Sequence, residues 1–130
     1  MFTCTCIYAS IHPIRFFSRN IAKEMVAVKR KVGLTATTGM ASTQLGPDAI
    51  TVHHWAGILD GRHGPETLAE LFDNDDNFVA ARSRIQETEC LIIDEISMLS
   101  KRTFELIEFV CRHVRQEDKA FGGLQVIHSV

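Results

Sequence analysis

A continuous apolar run that ends in two acids, Cys90-Leu91-Ile92-Ile93-Asp94-Glu95, constrains the fold of this 130-residue chain more than any other feature. Apolar residues that follow one another without polar alternation are typical of a strand buried on both faces of a parallel sheet. Parallel strands need crossover connections, and helical patterns do alternate with short apolar stretches along this chain. The sequence therefore predicts an α/β fold with a parallel sheet flanked by helices.

The neighbours of that strand follow from periodicity and from turn residues. The polar run Asp73–Asn77 predicts an exposed loop, and Ser100 is a candidate N-cap for a long helix. The predicted strands are 32–36, 90–93 and 124–127, and the predicted helices are 16–30, 52–59, 64–72, 78–86 and 101–115.

Composition places few limits on function. The net charge of −2 gives no overall basic footprint, so nucleic-acid binding has to be argued from local patches. No stretch approaches the roughly 18 consecutive apolar residues that a membrane span needs, so no membrane association is predicted. Residues 1–23 contain no acid and resemble a transit peptide in composition, although a leader running into a surface helix is the favoured interpretation.

The four cysteines do not form a recognisable disulfide or zinc pattern. Cys90 and Cys111 lie within apolar patterns and are expected to be small buried residues. Cys4 and Cys6 are spaced more tightly than zinc ligands usually are, and no second pair follows them. A reducing, intracellular compartment is therefore expected.

Asp94 and Glu95 stand where ligand chemistry gathers in open parallel sheets, at the carboxyl end of a buried strand. Like charges disfavour each other's ionised form, so the pair is costly unless a cation or a reacting group lies nearby. With a magnesium–nucleotide complex, the first acid would hold Mg²⁺ through its water shell and the second would polarise the attacking water. A strand that simply ends in an acidic loop is the alternative that this short pattern leaves open.

The longer string Cys90–Leu99, with Asp-Glu-Ile-Ser-Met after the aliphatic strand, resembles motif II of the petite-integration-frequency (PIF) DNA helicases, superfamily-one motors related to RecD. Three further segments resemble motifs of that family in the family's order. They are Val32–Ala41 for motif Ia, Thr51–Ile58 for the following Thr-x-x-His-Ser-Phe-Ala-Gly element, and Phe121–Ile127 for the approach to motif III. Four ordered motifs are far more specific than any single one, and the resemblance covers roughly residues 16–127.

The resemblance implies roles for individual residues. Asp94 would hold magnesium through water and Glu95 would be the catalytic residue, with Mg²⁺ and ATP as the cofactors. In that family, motif Ia and its neighbour line the path of single-stranded DNA. The implied DNA-binding candidates are therefore Thr35, Thr37, Thr38 and His53.

The chemistry of these candidates permits that role without requiring it. Hydroxyls and backbone N–H groups at a strand-to-helix turn suit phosphate and read no base sequence. Ordinary turn chemistry is the alternative for Thr37-Thr38-Gly39. For Trp55 we expect a place in the core rather than a base-stacking platform, because stacking needs an exposed ring.

Two departures from the family pattern limit what the chain is expected to do. The phosphate loop, or Walker A motif, ends in Gly-Lys-Ser/Thr, and this sequence contains no Gly-Lys pair. The second RecA-like lobe, with its arginine finger, has no counterpart. We therefore predict an unmatched leader at 1–14 and an incomplete RecA-like P-loop NTPase lobe at 15–130. Without the strand that carries the phosphate loop, an unpaired sheet edge is expected.

The function implied by the resemblance is that of a fragment of an ATP-dependent DNA helicase. Its implied partners are single-stranded DNA or DNA junctions, and its implied roles are replication, repair, recombination and telomere maintenance. The isolated chain is expected to be inactive, because the phosphate loop and the second lobe are missing. The alternative is a non-catalytic DNA- or partner-binding remnant of such a helicase. The implied location is the nucleus, the mitochondrion or both.

Overall fold

The computed structural model describes residues 6–9 and 31–129, which contain a five-stranded parallel sheet. The strands are β1 (Cys6–Ala9), β2 (Val32–Ala36), β3 (Ile50–Thr51), β4 (Cys90–Asp94) and β5 (Gln125–Ser129), in the sheet order β1-β5-β4-β2-β3. The predicted central strand is confirmed, because β4 pairs on both sides and all five of its residues are buried.

The described helices are α1 (Gly39–Leu45), α2 (Val52–Ala56), α3 (Pro65–Asn74), α4 (Val79–Glu87) and α5 (Lys101–Arg115). Short 3-10 turns lie at Asp76–Phe78, Ile96–Met98 and Ala120–Gly123. None of the helices in the described part of the chain is long and apolar enough to cross a membrane. The helix predicted at 16–30 and the leader-like composition of 1–23 fall outside the described residues, except for β1.

The main core lies between one face of the sheet and helices α2 to α5. Trp55 on α2 is only 2% exposed, which confirms the expectation that it is a core residue. Gly33 on β2 makes room for it, because a Cβ atom at that position would lie 2.8 Å from Trp55 Nε1. The other core side chains include Leu68, Phe72, Ile85, Leu91, Ile93, Ile107, Val110 and Val126.

Two predicted boundaries were wrong. The helix predicted at 52–59 ends at Ala56, because Gly57 adopts the left-handed conformation (φ 69°) and its N–H bonds back to the carbonyls of His53 and His54. The helix α3 continues to Asn74 and so enters the polar run that was predicted to be a loop. Asp75 then ends the helix, and its side chain accepts a hydrogen bond from the Asn77 N–H.

The unpaired edge that was expected where a central strand should be is also wrong. Cys6–Ala9 lie within the leader that resembles no family motif, and they pair in parallel with β5 from Cys6 beside Val126 to Ala9 beside Ser129. The backbone of β5 therefore has a strand on each side. A four-residue run with no polar alternation carries little strand signal of its own, and its pairing partner is more than a hundred residues away.

Candidate functional site

Three strands of the sheet end in one row. Thr51 of β3, Ala36 of β2 and Asp94 of β4 are register partners across the sheet. We call the loops that follow this row the carboxyl edge, defined by Thr37, Thr38, Val52, His53 and Glu95. Because neighbouring parallel strands end on the same side, the structure brings the two acids and the threonine and histidine candidates to one edge of the molecule.

The two acids at the end of β4, Asp94 and Glu95, differ in environment. Asp94 is the last residue of β4 and is fully buried, whereas Glu95 is half-buried in the loop that follows. The Glu95 backbone is left-handed, with φ 58° and ψ 49°. Its carbonyl accepts a hydrogen bond from the Met98 N–H at 3.1 Å, which starts the 3-10 turn Ile96–Met98. A left-handed non-glycine residue is uncommon, and such strain clusters at functional sites.

The three threonine candidates have different environments. Thr35 is fully buried, and its hydroxyl donates to the Ile92 carbonyl at 2.7 Å. Thr37 is half-buried, and its hydroxyl donates to the Glu95 carbonyl at 3.2 Å. Thr38 is exposed.

These environments change the list of DNA-binding candidates. A fully buried hydroxyl that already serves the neighbouring strand is not accessible to a phosphate, so Thr35 is corrected to a structural residue between β2 and β4. Thr38 remains accessible. Its Oγ1 accepts the Ala41 N–H at 3.1 Å and caps α1, a role that uses a lone pair and leaves the hydroxyl proton to donate.

His53 lies half-buried on α2, immediately after β3. It lines a cleft of about 680 Å³ together with Thr51, His54 and Arg84, and neither Asp94 nor Glu95 lines that cleft. The Arg84 guanidinium donates to the His54 carbonyl at 2.8 Å and so occupies the C-terminal end of α2. Partial burial lowers the pKa of Arg84 from its ordinary value. No local sequence pattern predicts this contact, because it joins residues 30 positions apart.

A further histidine lies close to the carboxyl edge. His128 on β5 pairs in register with Ile93 of β4, one residue before Asp94. Burial lowers the pKa of His128 below its ordinary value, because desolvation disfavours the charged imidazole. The neutral imidazole is therefore the favoured form at neutral pH.

The residues of this edge fit a hydrated magnesium ion better than a closed metal centre. Among residues 31–129, no group of three or more His, Cys, Asp or Glu side chains is placed to hold a metal. Magnesium needs fewer protein ligands, since it is usually held by one or two carboxylates together with water and substrate phosphates. The Asp94 carboxylate is an oxygen donor of that kind. The side chains of Cys4 and Cys6 lie outside the described part of the structure.

Residues 14–129 match the family described as PIF1-like helicase. The chain belongs to this family. The ATP-dependent DNA helicase Pif1 of Psychrobacter sp. (strain PRwf-1) is 44% identical over 96 residues, which cover 74% of this chain and 14% of that helicase. This PIF1-like chain thus spans about a seventh of the length of that relative.

Solved structures agree with this assignment. The crystal structure of the Pif1 helicase from Candida albicans superposes with a TM-score of 0.82 at 28% identity, covering 98% of this chain and 28% of that one. The structure of the Bacteroides Pif1 helicase in complex with ADP-AlF3 and ssDNA gives a TM-score of 0.72 at 25% identity, covering 98% and 28%. The predicted fold class, a RecA-like α/β lobe with a parallel sheet, is confirmed for this PIF1-like chain.

Proposed function

We propose that this chain provides the magnesium- and water-handling strand of an ATP-driven DNA helicase motor. The observation that carries the proposal is the row Thr51–Ala36–Asp94, because it places two acids and the accessible threonine and histidine candidates on one edge of the sheet. Family membership supports it, as do a relative that is an ATP-dependent DNA helicase and a solved Pif1 in complex with ADP-AlF3 and ssDNA.

The two acids divide the chemistry between them in this proposal. Asp94, fixed at the end of a fully buried strand, would hold the water shell of Mg²⁺. When bound, ATP would supply the phosphoryl group that passes to water, with ADP as the leaving group, and Mg²⁺ would neutralise charge on the phosphates. Glu95 is more exposed, and its carboxylate would orient the attacking water and accept its proton.

The DNA contacts in this proposal come from Thr38 and His53. Thr38 is exposed and offers a hydroxyl proton, while His53 offers a ring nitrogen from the start of α2. Both groups suit a phosphate or a sugar, so single-stranded DNA or a DNA junction is the proposed partner, bound without reading its sequence. The net charge of −2 means that such local contacts have to provide the attraction.

Activity and biological role are also proposed here. We expect the chain by itself to be inactive, because its sequence contains no Gly-Lys pair to cradle the nucleotide phosphates. The same observation favours a second candidate function, a non-catalytic DNA- or partner-binding remnant. For the complete motor we propose coupled ATP hydrolysis and DNA unwinding in replication, repair, recombination and telomere maintenance, in the nucleus, the mitochondrion or both.

An ATPase assay on the 130-residue chain, with and without single-stranded DNA, separates these functions. We expect no DNA-stimulated phosphate release. The matched variants are Glu95→Gln and Glu66→Gln, the latter an exposed acid on α3. DNA-stimulated turnover that disappears in Glu95→Gln and persists in Glu66→Gln would refute the expected inactivity and the remnant function, and would establish Glu95 as the catalytic residue.

A further inference from the structure

The hydroxyl of Thr37 makes a contact that the proposed function does not use. It crosses from the loop after β2 to the loop after β4 and donates to the Glu95 carbonyl at 3.2 Å. Two residues earlier, Thr35 makes the same kind of bond to the Ile92 carbonyl at 2.7 Å. The two hydroxyls thus form consecutive bridges, the first between β2 and β4 and the second between the loops that follow them. The second bridge lies beyond the ends of both strands.

The residue held by the second bridge is strained. Glu95 has a left-handed backbone, and conformations of that kind persist only where the surroundings fix them. Its carbonyl receives the Thr37 hydroxyl as well as the Met98 N–H. The Thr37 hydroxyl thus bonds directly to the main chain of the proposed catalytic residue.

A threonine hydroxyl has one proton to donate. Thr37 can therefore donate to the Glu95 carbonyl or to an anion at the carboxyl edge, but not fully to both. Thr38 differs, since its cap uses only the hydroxyl oxygen as an acceptor. Thr37 is half-buried and directly precedes the exposed Thr38, where the proposed function puts a DNA phosphate.

We infer that Thr37 is a positioning residue that links DNA occupancy of the carboxyl edge to the backbone of Glu95. Without DNA its proton holds the Glu95 carbonyl and the left-handed turn. A phosphate that takes this proton releases the carbonyl, and Glu95 can then leave the strained conformation. This inference rests on the proposed function, because it needs single-stranded DNA at this edge. Because the two equilibria are coupled, a Glu95 turn that stays fixed should lower the affinity for DNA.

Nuclear magnetic resonance on the ¹⁵N-labelled 130-residue chain tests the inference. The probe is an oligothymidine of about ten nucleotides, within the range that single-strand sites cover. We expect DNA to shift the amide signals of Glu95 and Ile96 in the natural chain. That shift should be lost in Thr37→Val, which keeps the shape of the side chain without its hydroxyl, and retained in Thr37→Ser.

The matched control is Thr43→Val on α1, since the exposed Thr43 hydroxyl also donates to a backbone carbonyl, that of Gly39 at 2.9 Å. The control should keep the DNA-dependent shift at Glu95. Thr37→Ala removes the same hydroxyl if Thr37→Val does not fold. If the Glu95 signal still shifts in the hydroxyl-free variants, the inference is wrong. If DNA binds the natural chain without shifting the Glu95 signal, the inference is also wrong. Neither result contradicts the proposed DNA binding. Absence of any DNA-dependent shift in the chain overturns the proposed DNA binding as well.

Discussion

The backbone of Glu95 is the most unusual single-residue feature of the carboxyl edge. A side chain in the left-handed region costs about 1–2 kcal/mol, because its Cβ approaches the following carbonyl oxygen. Glycine removes that cost but loses roughly 0.5–1 kcal/mol to the greater freedom of the unfolded chain. A stability gain from glycine at this position would therefore show that the protein tolerates strain at Glu95.

We expect Glu95→Gly to raise the free energy of unfolding by about 0.5–1 kcal/mol, the difference between these two effects. Urea denaturation followed by circular dichroism measures it. Glu95→Gln is the control, because it removes the same charge beside Asp94 while keeping the Cβ atom, and it should give no comparable gain. Equal stabilisation by both variants would mean that Glu95 destabilises the fold through charge repulsion with Asp94 and not through backbone strain.

The threonines show how far residue-level reasoning from sequence extends. The pattern Thr-Ala-Thr-Thr predicted hydroxyls at a strand-to-helix turn, and Thr38 does cap α1 there. The partners of Thr35 and Thr37 could not be predicted, because Ile92 on β4 and Glu95 in the loop after it lie 57 and 58 residues along the chain. Only the strand order, with β2 beside β4, shows which segment the two hydroxyls meet.

At the scale of elements, the strongest sequence signals were the most accurate. The β4 strand and the α5 helix were both predicted, because an unbroken apolar run and a long amphipathic pattern each leave few alternatives. Among the short elements, β2 was predicted with its observed bounds, whereas the end of α2 and the existence of β1 were not predicted. The α2 helix is five residues long and its end depends on Gly57, while β1 depends on pairing with β5 from the other end of the chain.

The N-cap of α5 gives a prediction at this scale. Ser100 Oγ accepts the Thr103 N–H at 3.1 Å, and losing a cap of this kind costs about 1 kcal/mol. We expect Ser100→Ala to lower the free energy of unfolding by that amount, measured by urea denaturation. Ser83→Ala is the matched control, because Ser83 is exposed inside α4 and alanine is the better helix former there. An equal loss in both variants would show that the Ser100 cap has no special role.

At the scale of the whole molecule, the chain is a PIF1-like α/β lobe that spans about a seventh of a related helicase. Its five parallel strands bring the proposed ATP chemistry and the proposed DNA contacts to one edge. That arrangement follows from topology rather than composition, since the net charge of −2 does not indicate a nucleic-acid partner. The proposed function therefore depends on DNA binding at the carboxyl edge.

Fluorescence anisotropy with a labelled oligothymidine at increasing salt is the most direct test of DNA binding at the carboxyl edge. We expect binding that weakens with salt, and an affinity about fivefold lower in Thr38→Asp, because a carboxylate beside a bound phosphate costs on the order of 1 kcal/mol. Thr67→Asp, which adds the same charge on exposed α3, should bind nearly as the natural chain does. Equal weakening of binding by Thr38→Asp and Thr67→Asp would contradict DNA binding at the carboxyl edge. The absence of any binding at low salt would contradict it as well.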